Sequence, residues 1–148
     1  MGEDGAVRGD DDVIRLMLTG CNHITVVGCS RDPAKEAHAV PARMQRLGYT
    51  ITPINPLAAE ILGERAYATL AEAPRPVDMV QVFRPSADAT DVVRQAVDAG
   101  ASAVWLQQGI RSAAGRDLCR EAGVLYVEDH CMAVDYIRLD IAGLRSTA

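Results

Sequence analysis

The stretch VVGCSRDPAKEAH, residues 26–38, passes within a few positions from apolar side chains to small, polar and basic ones. The apolar run ITVVG that leads into it, residues 24–28, is typical of a short buried strand. The segment VPARMQRLG that follows it predicts a helix ended by Gly48. Proline is tolerated in the first turn of a helix but is costly deeper inside, so Pro41 predicts that this helix begins near residues 37–40. The loop between strand and helix then covers residues 29–36.

The same alternation continues along the chain. Strand patterns occur in YTITPIN, VDMVQVF, ASAVWLQ and VLYVE, and helix patterns in SADATDVVRQAVDAG, SAAGRDLCREAG and CMAVDYIRLDIAG. An earlier helix through VIRLMLTG is expected to be capped by Asp11 or Asp12, and Ser86 is expected to cap the helix that begins with it. The long connection after YTITPIN predicts a short strand near residues 66–67 and a helical turn near residues 69–73. Strands that are apolar on both faces and alternate with helices predict an α/β, Rossmann-like doubly wound parallel sheet of about five strands flanked by helices.

Length and composition limit the class of protein. We expect residues 11–148 to form a single domain and the acidic residues 1–10 to form a flexible tail. A formal net charge of −5 argues against nucleic-acid binding, which requires basic surface. No apolar run is long enough to span a membrane, and the amino terminus lacks the apolar core of a secretory signal. The four cysteines form no CxxC pair, which favours reduced thiols and a cytoplasmic location.

The loop after the first strand is a candidate phosphate site. In this architecture ligands bind beyond the carboxyl ends of the strands, where unpaired amides and a helix N-terminus attract anions. The pattern is neither GxGxxG nor a Walker loop, so an ordinary strand-to-helix turn is the alternative. The candidate ligand-binding residues of the loop are Gly28, Cys29, Ser30, Arg31, Lys35 and His38.

The end of the second strand bears on which nucleotide could bind. A carboxylate at this position usually takes the ribose hydroxyls in an NAD site. The sequence here reads PINP, and no Asp or Glu occurs between Tyr49 and Ala59. This counts against NAD. An NADP site would need a nearby basic residue, and the next one downstream is Arg65.

Polar and aromatic residues also follow the later strands. Phe83, Arg84 and Ser86 follow VDMVQV, while Gln107 and Gly109 end AVWLQQG. Each could contact a ligand at the carboxyl edge of the sheet, and each could instead serve packing or a turn.

The last strand leads into EDHC, residues 128–131. Four consecutive residues cannot readily surround a tetrahedral metal ion, so no metal site is expected. Cys131 is a candidate catalytic nucleophile, but a reactive thiol needs a lowered pKa that sequence cannot show. The other interpretation is that Cys131 is a small cap of the ligand pocket.

Taken in order, the segments VVGCSRDPAKEAH, GYTITPINP, GERAYATLAEAPRPVDMVQVFRPS, AVWLQQG and VEDHCMAVDYIRL resemble the small stand-alone CoA-binding domain proteins. These are similar in fold to the CoA-binding domain of the succinyl-CoA synthetase alpha subunit. The resemblance implies coenzyme A, or an acyl-CoA, at the first loop and neighbouring strand ends. It implies phosphate contacts for Gly28, Ser30, Arg31 and Lys35, and a channel lined by Asn55 and Pro56. Phe83, Arg84, Ser86, Gln107 and Gly109 would complete the site.

The synthetases also need a phosphohistidine segment and a nucleotide-grasping partner, and the sequence offers neither. The expected function is therefore binding of coenzyme A or an acyl-CoA without catalysis. Two alternatives stay open: an NAD(P)-dependent redox or acyl-transfer enzyme that uses Cys131, and a nucleotide-sensing domain that controls a protein partner or a homo-oligomer.

Overall fold

A computed structural model of the protein describes residues 9–146 and contains one five-stranded parallel sheet and a small hairpin. The strands are β1 (His23–Val27), β2 (Thr50–Ile54), β3 (Glu60–Ile61), β4 (Glu64–Arg65), β5 (Met79–Val82), β6 (Ala103–Gln107) and β7 (Leu125–His130). The helices are α1 (Asp10–Gly20), α2 (Glu36–Arg46), α3 (Ser86–Asp98), α4 (Ala113–Ala122), α5 (Met132–Arg138) and α6 (Ile141–Ser146), with a 3₁₀ turn at Leu70–Glu72.

The strand order in the large sheet is β2-β1-β5-β6-β7, and all four pairings are parallel. One face packs against α1, α2, α5 and α6 through buried residues such as Met17, Met44 and Tyr136. The other face packs against α3 and α4, where Val93 and Cys119 are fully buried. Helices on both faces explain why the strands are mainly apolar. The expected Rossmann-like doubly wound fold is confirmed.

The start of α2 differs from the prediction. The helix begins at Glu36, so Pro41 lies in its second turn rather than its first. A proline there cannot donate to the carbonyl four residues earlier, which is that of Ala37. The amide of Ser30 donates to that carbonyl instead, at 3.1 Å. The proline is therefore tolerated because the β1–α2 loop folds back and satisfies the carbonyl that it leaves unpaired.

Three predicted helix ends are also corrected. The helix α1 begins at Asp10 with Gly9 as its N-cap and no capping side chain, so neither Asp11 nor Asp12 is the cap. Pro85, not Ser86, is the N-cap of α3. The expected single terminal helix is two helices, because Asp140 adopts a φ of 50° that a right-handed helix cannot continue through. Residues 1–8 of the predicted acidic tail lie outside the described residues.

The connection between β2 and β5 contains a hairpin that the sequence did not reveal. Leu62 and Gly63 form its two-residue turn with φ values of 57° and 76°, which suits the twist of a tight hairpin. The predicted strand near residues 66–67 is only an isolated bridge between Ile54 and Tyr67. The predicted helical turn is present as the 3₁₀ turn. This connection forms one wall beside the carboxyl end of β2.

No helix within residues 9–146 combines the length and the hydropathy that crossing a bilayer requires.

Candidate ligand-binding groove

A groove of about 600 Å³ lies where β1, β2 and β5 end. This is the edge at which doubly wound folds bind ligands, and the volume lies in the range of small-molecule sites. Its lining residues come from the β1–α2 loop, the β2–β5 connection, the end of β5 and α3. They are Val27, Gly28, Cys29, Ser30, Lys35, Ala37, Ile54, Asn55, Pro56, Leu57, Ala68, Thr69, Leu70, Phe83, Arg84, Val92 and Gln95.

The floor of the groove depends on Gly28. Its φ is 87°, and its amide donates to the carbonyl of Ile54 at 3.1 Å. A Cβ at this position would lie 3.1 Å from the carbonyl oxygen of Phe83. Only glycine therefore lets the β1–α2 loop pass this close to the end of β5.

Two cations line the groove. Lys35, the only lysine of the chain, is the N-cap of α2, and its ammonium has no hydrogen-bond or ion-pair partner within residues 9–146. Arg84 lies on the β5 side and pairs with Asp88 at 3.0 Å, with half of each side chain exposed. Such an exposed pair is weak, so a bound anion can compete for the guanidinium. Lys35 and Arg84 therefore place two cationic side chains at the groove.

Asn55 joins the ends of β1 and β2. Its Nδ2 donates to the carbonyl of Cys29 at 2.9 Å, and its Oδ1 accepts from the amide of Leu57 at 2.7 Å. Both polar atoms of this side chain are thus used within the protein. Asn55 shapes the wall of the groove, and Leu57, which it positions, leaves its side chain 79% exposed at the rim.

Arg31 and His38, the other polar candidates of the loop, do not line the groove. The guanidinium of Arg31 donates to the carbonyl of Leu57 at 3.3 Å and so connects the loop to the rim. His38 lies in the first turn of α2 and is half-buried. Their contacts with a ligand remain predictions.

The structure does not bring Ser86, Gln107 or Gly109 into the groove. The hydroxyl of Ser86 accepts from the amide of Arg111 at 3.0 Å. Gln107 is buried, and its Oε1 accepts from Gln81 Nε2 at 3.1 Å. The amide of Gly109 donates to a carboxylate oxygen of Asp129 at 2.7 Å. These residues connect elements to one another near the carboxyl ends of β6 and β7.

The carboxylates of the EDHC segment are also occupied. Burial raises the pKa of Glu128, but the Tyr126 hydroxyl, the Ser112 amide and Arg116 outweigh this and leave the pKa below its ordinary value. The amide of Gly109 and the charge of Arg111 likewise lower the pKa of Asp129. Both carboxylates are therefore ionised structural groups at neutral pH.

His130 and Cys131 lie outside the groove as well. The ring nitrogens of His130 lie 2.7 Å from Asp135 Oδ2 and 3.1 Å from Asp10 Oδ2. Cys131 is the half-buried N-cap of α5. Residues 9–146 contain no group of three His, Cys, Asp or Glu placed to hold a metal ion.

The other three cysteines are buried, and burial is the main cause that raises each thiol pKa. The pKa rises to about 11 for Cys21 and to about 12 for Cys29 and Cys119. A thiol of this kind is protonated at neutral pH and is a poor nucleophile. Cys29, the cysteine of the groove, therefore has no thiolate chemistry to offer.

Sequence reasoning missed the far wall of the groove. Leu57, Ala68, Thr69 and Leu70 belong to the irregular β2–β5 connection, while Val92 and Gln95 lie on α3. No local motif marks these residues. The only available signal was that Val92 and Gln95 are three apart and so share one side of a helix.

The sheet, its carboxyl-edge groove and the two cations that line the groove define a small α/β protein of the doubly wound class. The family model of the CoA-binding domain matches residues 22–137, and the chain belongs to this family.

Relatives cover almost the same length. The chain is 35% identical to the uncharacterized protein YneT of Bacillus subtilis, over 82% of this chain and 90% of that protein. It is 35% identical to a solved structure from Thermus thermophilus, with a TM-score of 0.82 and coverage of 88% and 99% of the two chains. A hypothetical protein from Pyrococcus horikoshii is 30% identical, with a TM-score of 0.84 and coverage of 94% and 99%.

Proposed function

We propose that this protein binds coenzyme A or an acyl-CoA in the groove and does so without catalysing a reaction. The observation that carries the proposal is the charge of the groove lining. Lys35 and Arg84 supply positive charge, and no carboxylate or histidine is among the lining residues of the described chain. The phosphates of coenzyme A suit a groove that is lined by cations and by no carboxylate.

The geometry of the loop supports phosphate binding. Gly28 allows the backbone to approach a ligand, and Lys35 is the N-cap of the eleven-residue helix α2. The positive end of the helix dipole and the lysine charge act in the same place. Family membership supports coenzyme A as the source of the phosphates.

The absence of a ribose-binding carboxylate argues against NAD. At the end of β2, where NAD proteins usually have Asp or Glu, this chain has Asn55 with both polar atoms already bonded. NAD would lose its usual ribose contacts in this groove. Coenzyme A, whose ribose carries a phosphate, would avoid a repulsive carboxylate.

The non-catalytic half of the proposal rests on what the groove lacks. Among the described lining residues, the only thiol is that of Cys29, which burial keeps protonated, and no histidine or carboxylate can act as its base. Cys131 lies outside the groove. Acetyl-CoA incubated with the protein should remain intact by mass spectrometry, and turnover abolished by Cys131→Ser would contradict this half alone.

Calorimetry and thermal unfolding test the binding half. Coenzyme A should raise Tm while NAD does not, because a ligand at a hundredfold excess over its Kd stabilises by about 2.7 kcal/mol. Lys35→Gln should weaken binding about tenfold, an amount typical of one charge-assisted phosphate contact. Arg43→Gln removes a charge from the exposed side of the same helix and should bind like the unmodified protein. No binding of coenzyme A or acetyl-CoA at millimolar concentration would refute the proposal.

We also propose a cytoplasmic location, which three buried and protonated thiols support. Secreted proteins meet oxidising conditions that favour disulfide bonds, whereas these thiols are free. Fractionation of cells expressing a tagged form would test the location directly.

A further inference from the structure

The groove has two sides with different chemistry. The side formed by the β1–α2 loop carries Ser30 and Lys35, and Arg84 faces it from the end of β5. The other side lies between the 3₁₀ turn and α3, which pack against each other. There the lining is mainly apolar and includes Leu70 and Val92, both buried in one cluster. A flat apolar group such as a nucleotide base suits this second side, while phosphates suit the first.

Two polar side chains, those of Thr69 and Gln95, line the apolar side, and that of Gln95 is exposed at the groove. Gln95 lies on α3, three residues after Val92, and lines the groove. Its side-chain amide makes no hydrogen bond to any residue between 9 and 146. The other amide of the groove, that of Asn55, uses both polar atoms to connect β1 and β2. Gln95 therefore holds the groove's only uncommitted side-chain amide within the described residues.

We propose that Gln95 selects the base of the bound nucleotide by pairing its amide with the edge of adenine. This inference rests on the proposed function, since it assigns a role within the same groove. Adenine presents an amino donor beside a ring-nitrogen acceptor, and a glutamine amide offers the matching acceptor and donor. Guanine presents two acceptors on the corresponding edge, so one of the two hydrogen bonds would be lost.

The cations cannot make this distinction. Lys35 and Arg84 interact with phosphates, which are the same whichever base is attached. The apolar residues Leu70 and Val92 contact the faces of a base, and all purines have similar faces. A base preference must therefore come from a hydrogen-bonding group on the apolar side, and Gln95 is the side chain there that offers both a donor and an acceptor.

The experiment compares two ligands that differ only in the base. Calorimetry would measure the binding of adenosine 3′,5′-bisphosphate, guanosine 3′,5′-bisphosphate and coenzyme A. The unmodified protein should prefer the adenosine ligand by about tenfold or more, as expected for a two-bond contact with a base edge. Gln95→Met keeps the length and helix propensity of the side chain but removes the amide. In this variant the base preference should fall to about threefold or less, and coenzyme A should bind about tenfold more weakly.

Two further variants make the result specific. Gln95→Ala should lose the base preference in the same way. Arg94→Ala changes the neighbouring residue, which pairs with Asp91 on the solvent side of α3 and does not line the groove, and should keep the full preference.

Coenzyme A binding with an unchanged base preference in Gln95→Met would overturn this inference and leave the proposed function standing. No base preference in the unmodified protein would do the same. No coenzyme A binding by the unmodified protein would overturn both.

Discussion

The two halves of the sheet's carboxyl edge use their polar residues in opposite ways. At the ends of β2, β1 and β5, here called the open half, Lys35 and Gln95 have side chains without partners within residues 9–146. At the ends of β6 and β7, here called the closed half, Glu128 and Asp129 are bonded to neighbouring loops and arginines. The same architectural position is thus an open groove on one side and a structural network on the other.

The difference shows why polar residues at strand ends are not sufficient to mark a site. Buried polar groups usually find partners, and in the closed half the carboxylates of Glu128 and Asp129 find them within the protein. In the open half the pairing of Asn55 and the crossing of the loop at Gly28 leave a space that the protein does not fill. Ligand binding is expected where hydrogen-bonding capacity remains after the fold has satisfied its own needs.

The largest effect should come from Trp105 in the closed half. Its side chain is fully buried, and its Nε1 donates to the carbonyl of His130 at 2.9 Å. Trp105→Ala should lower the free energy of unfolding by about 3–5 kcal/mol, measured by circular dichroism in urea. The matched control is Leu57→Ala in the open half, where the side chain is exposed and the loss should stay below about 0.5 kcal/mol. Similar losses for the two variants would remove the distinction between the halves.

Gly28→Ala should show the next largest effect and should affect the open half. The left-handed φ alone should cost about 1–2 kcal/mol for a residue with a Cβ. Gly48→Ala provides the control, because Gly48 also has a positive φ, 108°, but its Cβ would meet no atom within 4 Å. Both variants should be less stable, but only Gly28→Ala should also lose affinity for coenzyme A, since its Cβ pushes against the backbone of Phe83. If Gly28→Ala and Gly48→Ala bound coenzyme A with equal affinity, the crossing of the β1–α2 loop at Gly28 would not shape the groove.

Glu128→Gln should destabilise the closed half without changing the groove. The carboxylate accepts from the Tyr126 hydroxyl at 2.8 Å and from the Ser112 amide at 3.1 Å, and it pairs with Arg116. Loss of the charge should cost about 1–2 kcal/mol in urea unfolding. Affinity for coenzyme A should not change. Glu121→Gln on the exposed side of α4 is the control and should be neutral; a fall in ligand affinity for Glu128→Gln would mean that the halves are coupled.

Acid should lower the free energy of unfolding through the closed half, by less than Glu128→Gln lowers it at neutral pH. The pKa values of Glu128 and Asp129 are lowered in the folded protein, so the unfolded state takes up protons first. The stability that these groups contribute is present above their unfolded pKa values and is lost as the pH falls below about 5. The fluorescence of the single tryptophan can report unfolding across this range. The stability gap between Glu128→Gln and the unmodified protein should narrow at low pH, and a constant gap would contradict the assignment.

The sequence predicted the elements better than their ends. Each of the five strands of the sheet was visible, because both faces are buried and the strands are short apolar runs. The predicted start of α2 was wrong. The rule that places proline in the first turn assumes that no other group donates to the carbonyl four residues before the proline. In the protein that carbonyl, from Ala37, accepts from the amide of Ser30. The Leu62–Gly63 hairpin turn was missed because leucine is not a usual residue at a positive φ.

For the candidate site, the loop residues were easier to predict than the rest. Gly28, Cys29, Ser30, Lys35, Asn55, Pro56, Phe83 and Arg84 all line the groove. All but Lys35 lie within three residues of the ends of neighbouring strands, so sequence position places them. Gln95 and Leu70 could not be found this way, because they reach the groove only through the packing of α3 on the 3₁₀ turn.

By itself the sequence determined the alternation of strands and helices, the family resemblance and the loop that follows β1. These depend on periodicity, glycine placement and local spacing, which act over a few residues. The tertiary structure decided which strand ends stay open, since that depends on which polar groups find partners far away in the chain. Gln107 ends β6 and Lys35 lies in the loop after β1, yet only the fold makes one a buried amide and the other a cation that lines the groove.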